Sequence, residues 1–354
     1  MHNKRGFMKE KAKFALGILV GFLLLFFFLR GIQWPEVLEA LKNANPWLII
    51  LGALANLVNF FIRAVRWRYL LRPLKAVGLH GLFSAICIGF MTITLIPGRI
   101  GEFVRAWVLA RREGMKTSAV FATVVVERVL DALTILVLFA VFLVFYRFPE
   151  EVSAEGSEFI TLVKTASVYG APAIVLLLAV MVFLILKPDL APLWTERALF
   201  VFSERWRKKA AAIAASFVEG FSVLSRPSYL LPLGFWSVVC WLFITLGIWF
   251  TLLGFGIELP FISTFFVTII VAVGVSLPTP GGVGGYHMAF KAGLVYIFAV
   301  EESTAVAAIL VCHLLAFLPV TLIGAGYAWR EGLSLGAMKS IASDEAGGDK
   351  GAPA

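Results

Sequence analysis

The chain has 354 residues, 60% of them hydrophobic and only 15% charged, with a mean hydropathy of +0.91. That leaves too little polar surface for a water-soluble globule and makes the chain an integral membrane protein. The formal charge of +9 comes from Lys and Arg gathered beside apolar runs, and it reads as membrane topology rather than nucleic-acid binding.

At the N-terminus Lys4, Arg5, Lys9, Lys11 and Lys13 precede an apolar run from Phe14 to Leu29. No small-x-small cleavage site follows it, so the run reads as an uncleaved span with residues 1–13 in the cytoplasm. Trp34 to Asn45 then lies outside. A second span runs from Pro46 to about Ile62 and ends in Arg63, Arg66, Arg68, Arg72 and Lys75, a cluster expected at the cytoplasmic interface.

The next apolar arm, Leu79 to Ile96, meets Pro97-Gly98-Arg99-Ile100-Gly101 and then more basic residues, Arg105, Arg111, Arg112 and Lys116. Both flanks favour the same side, which a hairpin that enters, turns and returns satisfies. From Thr117 a helix crosses to Tyr146, and the loop bearing Glu150, Glu151, Glu155 and Glu158 is placed outside. A span from about Thr165 to Leu186 returns. Residues 187–228, with Arg205, Arg207, Lys208 and Lys209, read as a cytoplasmic interfacial segment.

Tyr229 to Phe255 crosses outward, and a second arm, Phe261 to Leu277, breaks at Pro278-Thr279-Pro280-Gly281-Gly282-Val283-Gly284. Its flanks are acidic or neutral, so this hairpin enters from outside. Ser303 to Trp329 is the last span, and 330–354 is a cytoplasmic tail of disordered composition. A shift of 183 residues superimposes the two proline-glycine elements and the arms before them. The sequence therefore predicts an all-α polytopic membrane protein of about six spans plus two re-entrant hairpins, in inverted repeats over about 46–146 and 229–329 of one membrane domain, 14–329. The competing topology makes every hairpin arm a crossing.

Ionisable groups concentrate around the first hairpin and the helix after it. Glu127 lies ten residues beyond Thr117, about 15 Å along a helix and so near mid-membrane. Glu127 and Asp131 share a face, while Arg128 projects to meet another element, with Arg99, Glu102 and Arg105 as candidate partners. Charges at that depth must be paired or hydrated. Two readings follow: a structural clamp of hairpin on helix, or an anion site in which Arg99 and Arg128 grip a lipid phosphate. The hairpin turns are assigned to Pro97, Gly98 and Gly101 and to Pro278, Pro280, Gly281, Gly282 and Gly284, where helix N-termini at the glycines can add amide donors. In the second half the polar residues are His287, Lys291 and His313, and a proton-titrating role suits the histidines better than a metal site does. Cys87, Cys240 and Cys312 lie in apolar stretches and read as packing residues.

Pro97 to Arg105, Glu127-Arg128-Val129-Leu130-Asp131, Arg66 to Leu71 and Pro278 to Gly284 together resemble the lysylphosphatidylglycerol synthase transmembrane, or flippase-like, family over about residues 10–330. The family includes the flippase half of the multiple peptide resistance factor. The resemblance implies movement of a phospholipid or polyprenyl-linked lipid between leaflets. His287 and His313 occupy places where family members usually carry a glutamate and an arginine. No aminoacyl-transfer domain accompanies this sequence, so lysyl transfer is not expected.

The expected function is lipid translocation in the inner membrane, with both termini cytoplasmic and Arg99, Glu102, Arg105, Glu127, Arg128, Asp131, His287, Lys291 and His313 serving the headgroup. The protein is not expected to be an enzyme. No cofactor is expected, and no nucleotide-binding loop occurs to couple ATP directly. The alternative is a non-transporting membrane partner that presents lipid to a separate glycosyltransferase or other lipid-modifying enzyme. An intramembrane enzyme would need a nucleophile or metal arrangement that the sequence does not offer.

Overall fold

The structure, a computed structural model, describes residues 2–146, 190–198, 204–221 and 227–338 together with isolated positions between 158 and 187. The expected span at 165–186 and most of the acidic loop before it lie outside the described residues, as does the tail from 339. Among the described residues every regular element is helical. The protein is an all-α polytopic membrane protein. Among the described residues four helices are long and apolar enough to cross a membrane: α3 (Pro46–Leu71), α6 (Thr117–Phe145), α9 (Pro227–Gly254) and α12 (Glu302–Arg330). A bent pair at the N-terminus makes a fifth candidate. Large apolar side chains such as Phe22, Phe61, Leu231 and Leu322 remain exposed, as expected of a surface solvated by lipid.

α1 (His2–Leu29) turns by 85° into α2 (Trp34–Asn43). The bend sits at Gly31, whose φ of 80° suits glycine. α3 starts cleanly because Pro46 occupies its first position and the Asn45 side chain accepts from the Trp47 amide at 3.0 Å. It then continues nine residues beyond the expected end at Ile62. The cause is that Arg63 and Arg66 are buried against carboxylates of α6 rather than placed at the interface.

α4 (Leu79–Leu95) and α5 (Gly101–Glu113) are the arms of the first hairpin. Gly98 at φ 90° and Arg99 at φ 57° make the turn. At the open end of the hairpin Arg112 donates to Gly81 O and Ser84 Oγ, and Lys75 pairs with Glu113 at 3.0 Å. Both arms therefore start and finish at one end of the bundle. α7 (Leu190–Ala198) and α8 (Glu204–Gly220) follow α6. α8 lies on the first turns of α6, with Gly220 against Ala119 and Ala122.

The second hairpin is α10 (Phe261–Val275), a turn through Pro280–Gly282, and α11 (Gly285–Lys291), which runs on as a π-helical segment, Ala292–Ile297. Its open end lies at the opposite end of the bundle from the first. There Trp249 donates to Leu259 O, Ser303 donates to Glu36, and Glu301 caps α12 through the Ser303 and Thr304 amides. The two hairpin tips meet inside the molecule. Thr94 stands beside Gly281, while Gly17 of α1 lies against both Pro97 and the Pro278 carbonyl.

α3 and α9 occupy equivalent places in the repeated sequence, and they pack along their length. Asn45 N donates to Gly254 O at one end, Gly52 touches Gly247 and Thr251, and Arg66 donates to Ser237 at the other. As residue numbers rise on α3 they fall on α9, so the pair is antiparallel.

Candidate functional site

A cavity of about 310 Å³ lies where the two hairpins, α3, α6, α9 and α12 converge. Its polar wall comes mostly from the first half of the chain: Asn56, Asn59, Arg63, Arg99, Glu102, Arg128 and Asp131. The second half supplies a largely apolar wall, including Trp241, Ile244, Val271 and Phe317, with Thr268 and Tyr286. Such a cavity can hold a charged group at one side and an apolar one at the other.

Glu127 is the centre of the charged wall. Its side chain is wholly buried, and its Oε1 lies 3.2 Å from Arg66 Nη2, 3.2 Å from Arg105 Nη2 and 3.8 Å from Arg63 Nη1, with Arg128 in direct contact. Arg105 also donates to Glu127 Oε2 at 3.3 Å and stacks over the Trp67 ring. Asp131, one turn on, accepts from Arg66 at 2.6 Å and from the Trp241 indole N–H at 3.2 Å, and its other oxygen lies 3.0 Å from Arg128. Burial of this many charges costs heavily unless they satisfy one another. Here a single turn of α6 supplies both carboxylates because residues four apart share a face.

Arg63 is differently placed. With the Asn59 amide oriented so that its oxygen faces Arg63, it accepts from Arg63 Nε at 3.2 Å. Arg63 Nη1 has no hydrogen-bond partner among the described residues, although the residue is 7% exposed and lines the cavity. Arg63 also sits over the Phe90 ring.

Arg99, Glu102 and Arg128 form a separate partition. Arg99 pairs with Glu102 at 3.2 Å, and Glu102 lies 3.6 Å from Arg128 Nε. The same three side chains border an open groove of about 510 Å³ between the first turn and α6, floored by Phe103, Phe121, Val124 and Val125. They separate the groove from the cavity. Arg99 holds a left-handed backbone without being glycine, a conformation that costs roughly 1–2 kcal/mol and persists where surrounding structure enforces it.

Of the residues expected to serve a ligand, Arg99, Glu102, Arg128 and Asp131 line the cavity, while Arg105 and Glu127 lie behind them in the ion network. His287 and His313 meet each other, with ring centroids 4.6 Å apart, but are not among the lining residues. His287 Nδ1 accepts from the Gly284 amide and His313 Nε2 lies 3.0 Å from the Gly281 carbonyl, so both brace the second turn. Lys291 pairs with Glu302 and takes no part in the arginine cluster. Arg63, Arg66 and Asn59 are the residues that the sequence reading missed. Their spacing of four and three residues puts them on one helix face, a signal present in the sequence beside the more obvious run of bases.

The sequence model of the Lysylphosphatidylglycerol synthase TM region matches residues 14–324. The chain belongs to this family. Among curated relatives in and around the family, Glycosyltransferase AglD of Haloferax volcanii is 36% identical over 129 residues, covering 36% of this chain and 21% of the relative. A UPF0104 membrane protein of Methanocaldococcus jannaschii is 28% identical over 143 residues, covering 39% of this chain and 42% of the relative. Another, from Methanothermobacter thermautotrophicus, is 28% identical over 124 residues, covering 34% and 37%. The matched stretches thus span less than half the length of each relative.

Proposed function

We propose that this family member is a membrane lipid translocase. An anionic headgroup, of a phospholipid or a polyprenyl-phosphate-linked lipid, passes through the cavity between the hairpins while its chains stay in the bilayer. The observation that carries this reading is a cavity at the meeting point of the two hairpins, charged on one wall and apolar on the other, whose Arg99 and Arg128 also border an open groove. Non-helical backbone at membrane depth is tolerated where it is packed in protein or lines such a cavity. The antiparallel pairing of α3 with α9 and the opposite open ends of the hairpins support the inverted-repeat organisation of 46–146 and 229–329. The basic flanks support an orientation with both termini cytoplasmic, and the reading places the protein in the inner membrane.

The test is leaflet exchange of headgroup-labelled phosphatidylglycerol, and of a polyprenyl phosphate beside it, in liposomes containing purified protein. The wild type is expected to exchange at least one of these lipids, and Arg128→Ala, shown to be folded, is expected to lose most of that exchange. If neither lipid moves, the translocase reading fails. A second reading then takes its place, a membrane partner that presents lipid to a glycosyltransferase, which the likeness to Glycosyltransferase AglD favours.

A further inference from the structure

Five arginines, Arg63, Arg66, Arg99, Arg105 and Arg128, gather at the cavity and the network behind it, against three carboxylates, Glu102, Glu127 and Asp131. Among the described residues the cluster thus carries an excess of two positive charges. Arg63, Arg66 and Arg105 are buried, while Arg99 and Arg128 are about a third exposed at the groove; an excess positive charge shared between a buried network and the cavity wall favours an anionic ligand that closes the balance. Arg63, which lines the cavity while more than nine-tenths buried, carries an Nη1 with no hydrogen bond among the described residues, and the carboxylate it pairs with, Glu127 at 3.8 Å, is shared with three nearer arginines. Its Nε is held by Asn59 and its ring contact with Phe90 fixes the guanidinium plane, so Nη1 is positioned in advance for an acceptor.

We infer that the cavity selects a dianionic phosphate, the terminal phosphomonoester of a lipid, over the singly charged phosphodiester of ordinary phospholipids. This inference rests on the reading of the cavity as a lipid-headgroup site. A phosphodiester has one charge and leaves one arginine unbalanced, whereas a phosphomonoester has two charges and three terminal oxygens that Arg63 and Arg128 can grip together. The cavity, at the small end of the roughly 300–1,000 Å³ typical of ligand pockets, has room for such a headgroup but not for acyl chains. Those chains are left to the open, largely apolar groove beyond Arg99, Glu102 and Arg128. That groove is what favours a lipid over free phosphate.

The test compares phosphatidic acid with phosphatidylmethanol bearing the same fluorescent chain, two lipids that differ by one methyl group and one charge. Binding to the purified full chain in detergent is read by fluorescence anisotropy. At about pH 8, phosphatidic acid is expected to bind roughly tenfold tighter or more, since one charge-assisted hydrogen bond accounts for that factor. The preference should fall away towards about pH 5, where a phosphomonoester with a second pKa of about 6 has lost its second charge. Arg63→Gln should erase the preference, Arg63→Lys should keep part of it, and the exposed Lys208→Gln should leave it unchanged. Inorganic phosphate at equal concentration should not displace the lipid.

Equal affinity for the two lipids would overturn the inference, and so would displacement by inorganic phosphate, which would mark a free-phosphate site. If Arg63→Gln does not fold, the wild-type comparison and its pH dependence decide alone. Selective binding without leaflet exchange would sink the translocase and leave the dianion site standing. Exchange of both lipids without preference would do the reverse.

Discussion

At the scale of single residues, the carboxylates and arginines around Glu127 do unequal work. Glu127 faces four guanidinium groups, so Glu127→Gln removes the one charge that all of them share and leaves them repelling one another in the interior. Loss of one partner from a buried ion cluster costs about 3–5 kcal/mol. Arg63→Gln should cost clearly less, because Arg63 Nη1 makes no hydrogen bond among the described residues and lies 3.8 Å from Glu127, so that the loss of the Asn59 and Phe90 contacts is offset by a smaller positive excess. Thermal unfolding of both variants in detergent distinguishes the two roles, and comparable losses would show that Arg63 is structural. The sequence placed Glu127, Arg128 and Asp131 at depth because acidic residues inside an apolar run have no bland position. It hid Arg63 and Arg66 because they lead directly into Arg68, Arg72 and Lys75, and a run of bases after a span is the ordinary mark of the interface. Only the pairing with α6 separates the buried two from the rest.

At the scale of elements, each hairpin closes on a pair of glycines that face one another across its arms. A Cβ on Gly101 would lie 2.1 Å from the Gly89 carbonyl, and one on Gly285 would lie 2.3 Å from the Gly274 carbonyl. In each case the obstacle is backbone and cannot swing aside. Gly101→Ala and Gly285→Ala are therefore expected to force the arms apart and to lower stability by about 1–3 kcal/mol or more. Gly326→Ala in α12 meets nothing within 4 Å and should be neutral or stabilising by up to about 1 kcal/mol. Equal unfolding midpoints for all three would show that the arms are not held by close approach. These breaks were legible from the sequence, since Pro and Gly inside an apolar run interrupt helical hydrogen bonding. The glycine pairs were not, because which glycines meet depends on how the arms cross. Nor was the π-helical segment after α11, where no residue type marks the change of ladder.

At the scale of the whole molecule, the 183-residue repeat becomes an arrangement in space. Helices α3 and α9, which the repeat makes equivalent, run antiparallel, as the proposed inversion of one half relative to the other requires. The first hairpin opens where Lys75, Arg112 and Glu113 gather, while the second opens beside Leu259 and Glu301. The charge bias of the flanks suggests that the two hairpins enter from opposite sides, and both tips pack against α1. The arrangement makes a definite prediction about sidedness. With the buried Cys87, Cys240 and Cys312 replaced, single cysteines at the exposed positions His80, Arg111 and Glu258 are introduced one at a time and treated with an impermeant thiol reagent. His80→Cys and Arg111→Cys mark the two feet of the first hairpin and should react from the same side of sealed vesicles. Glu258→Cys, at the foot of the second, should react only from the other. Reaction of the first two from opposite faces would make each arm a full crossing. Reaction of all three from one face would remove the inversion, and with it the reason for two hairpin tips to meet in the middle of the membrane.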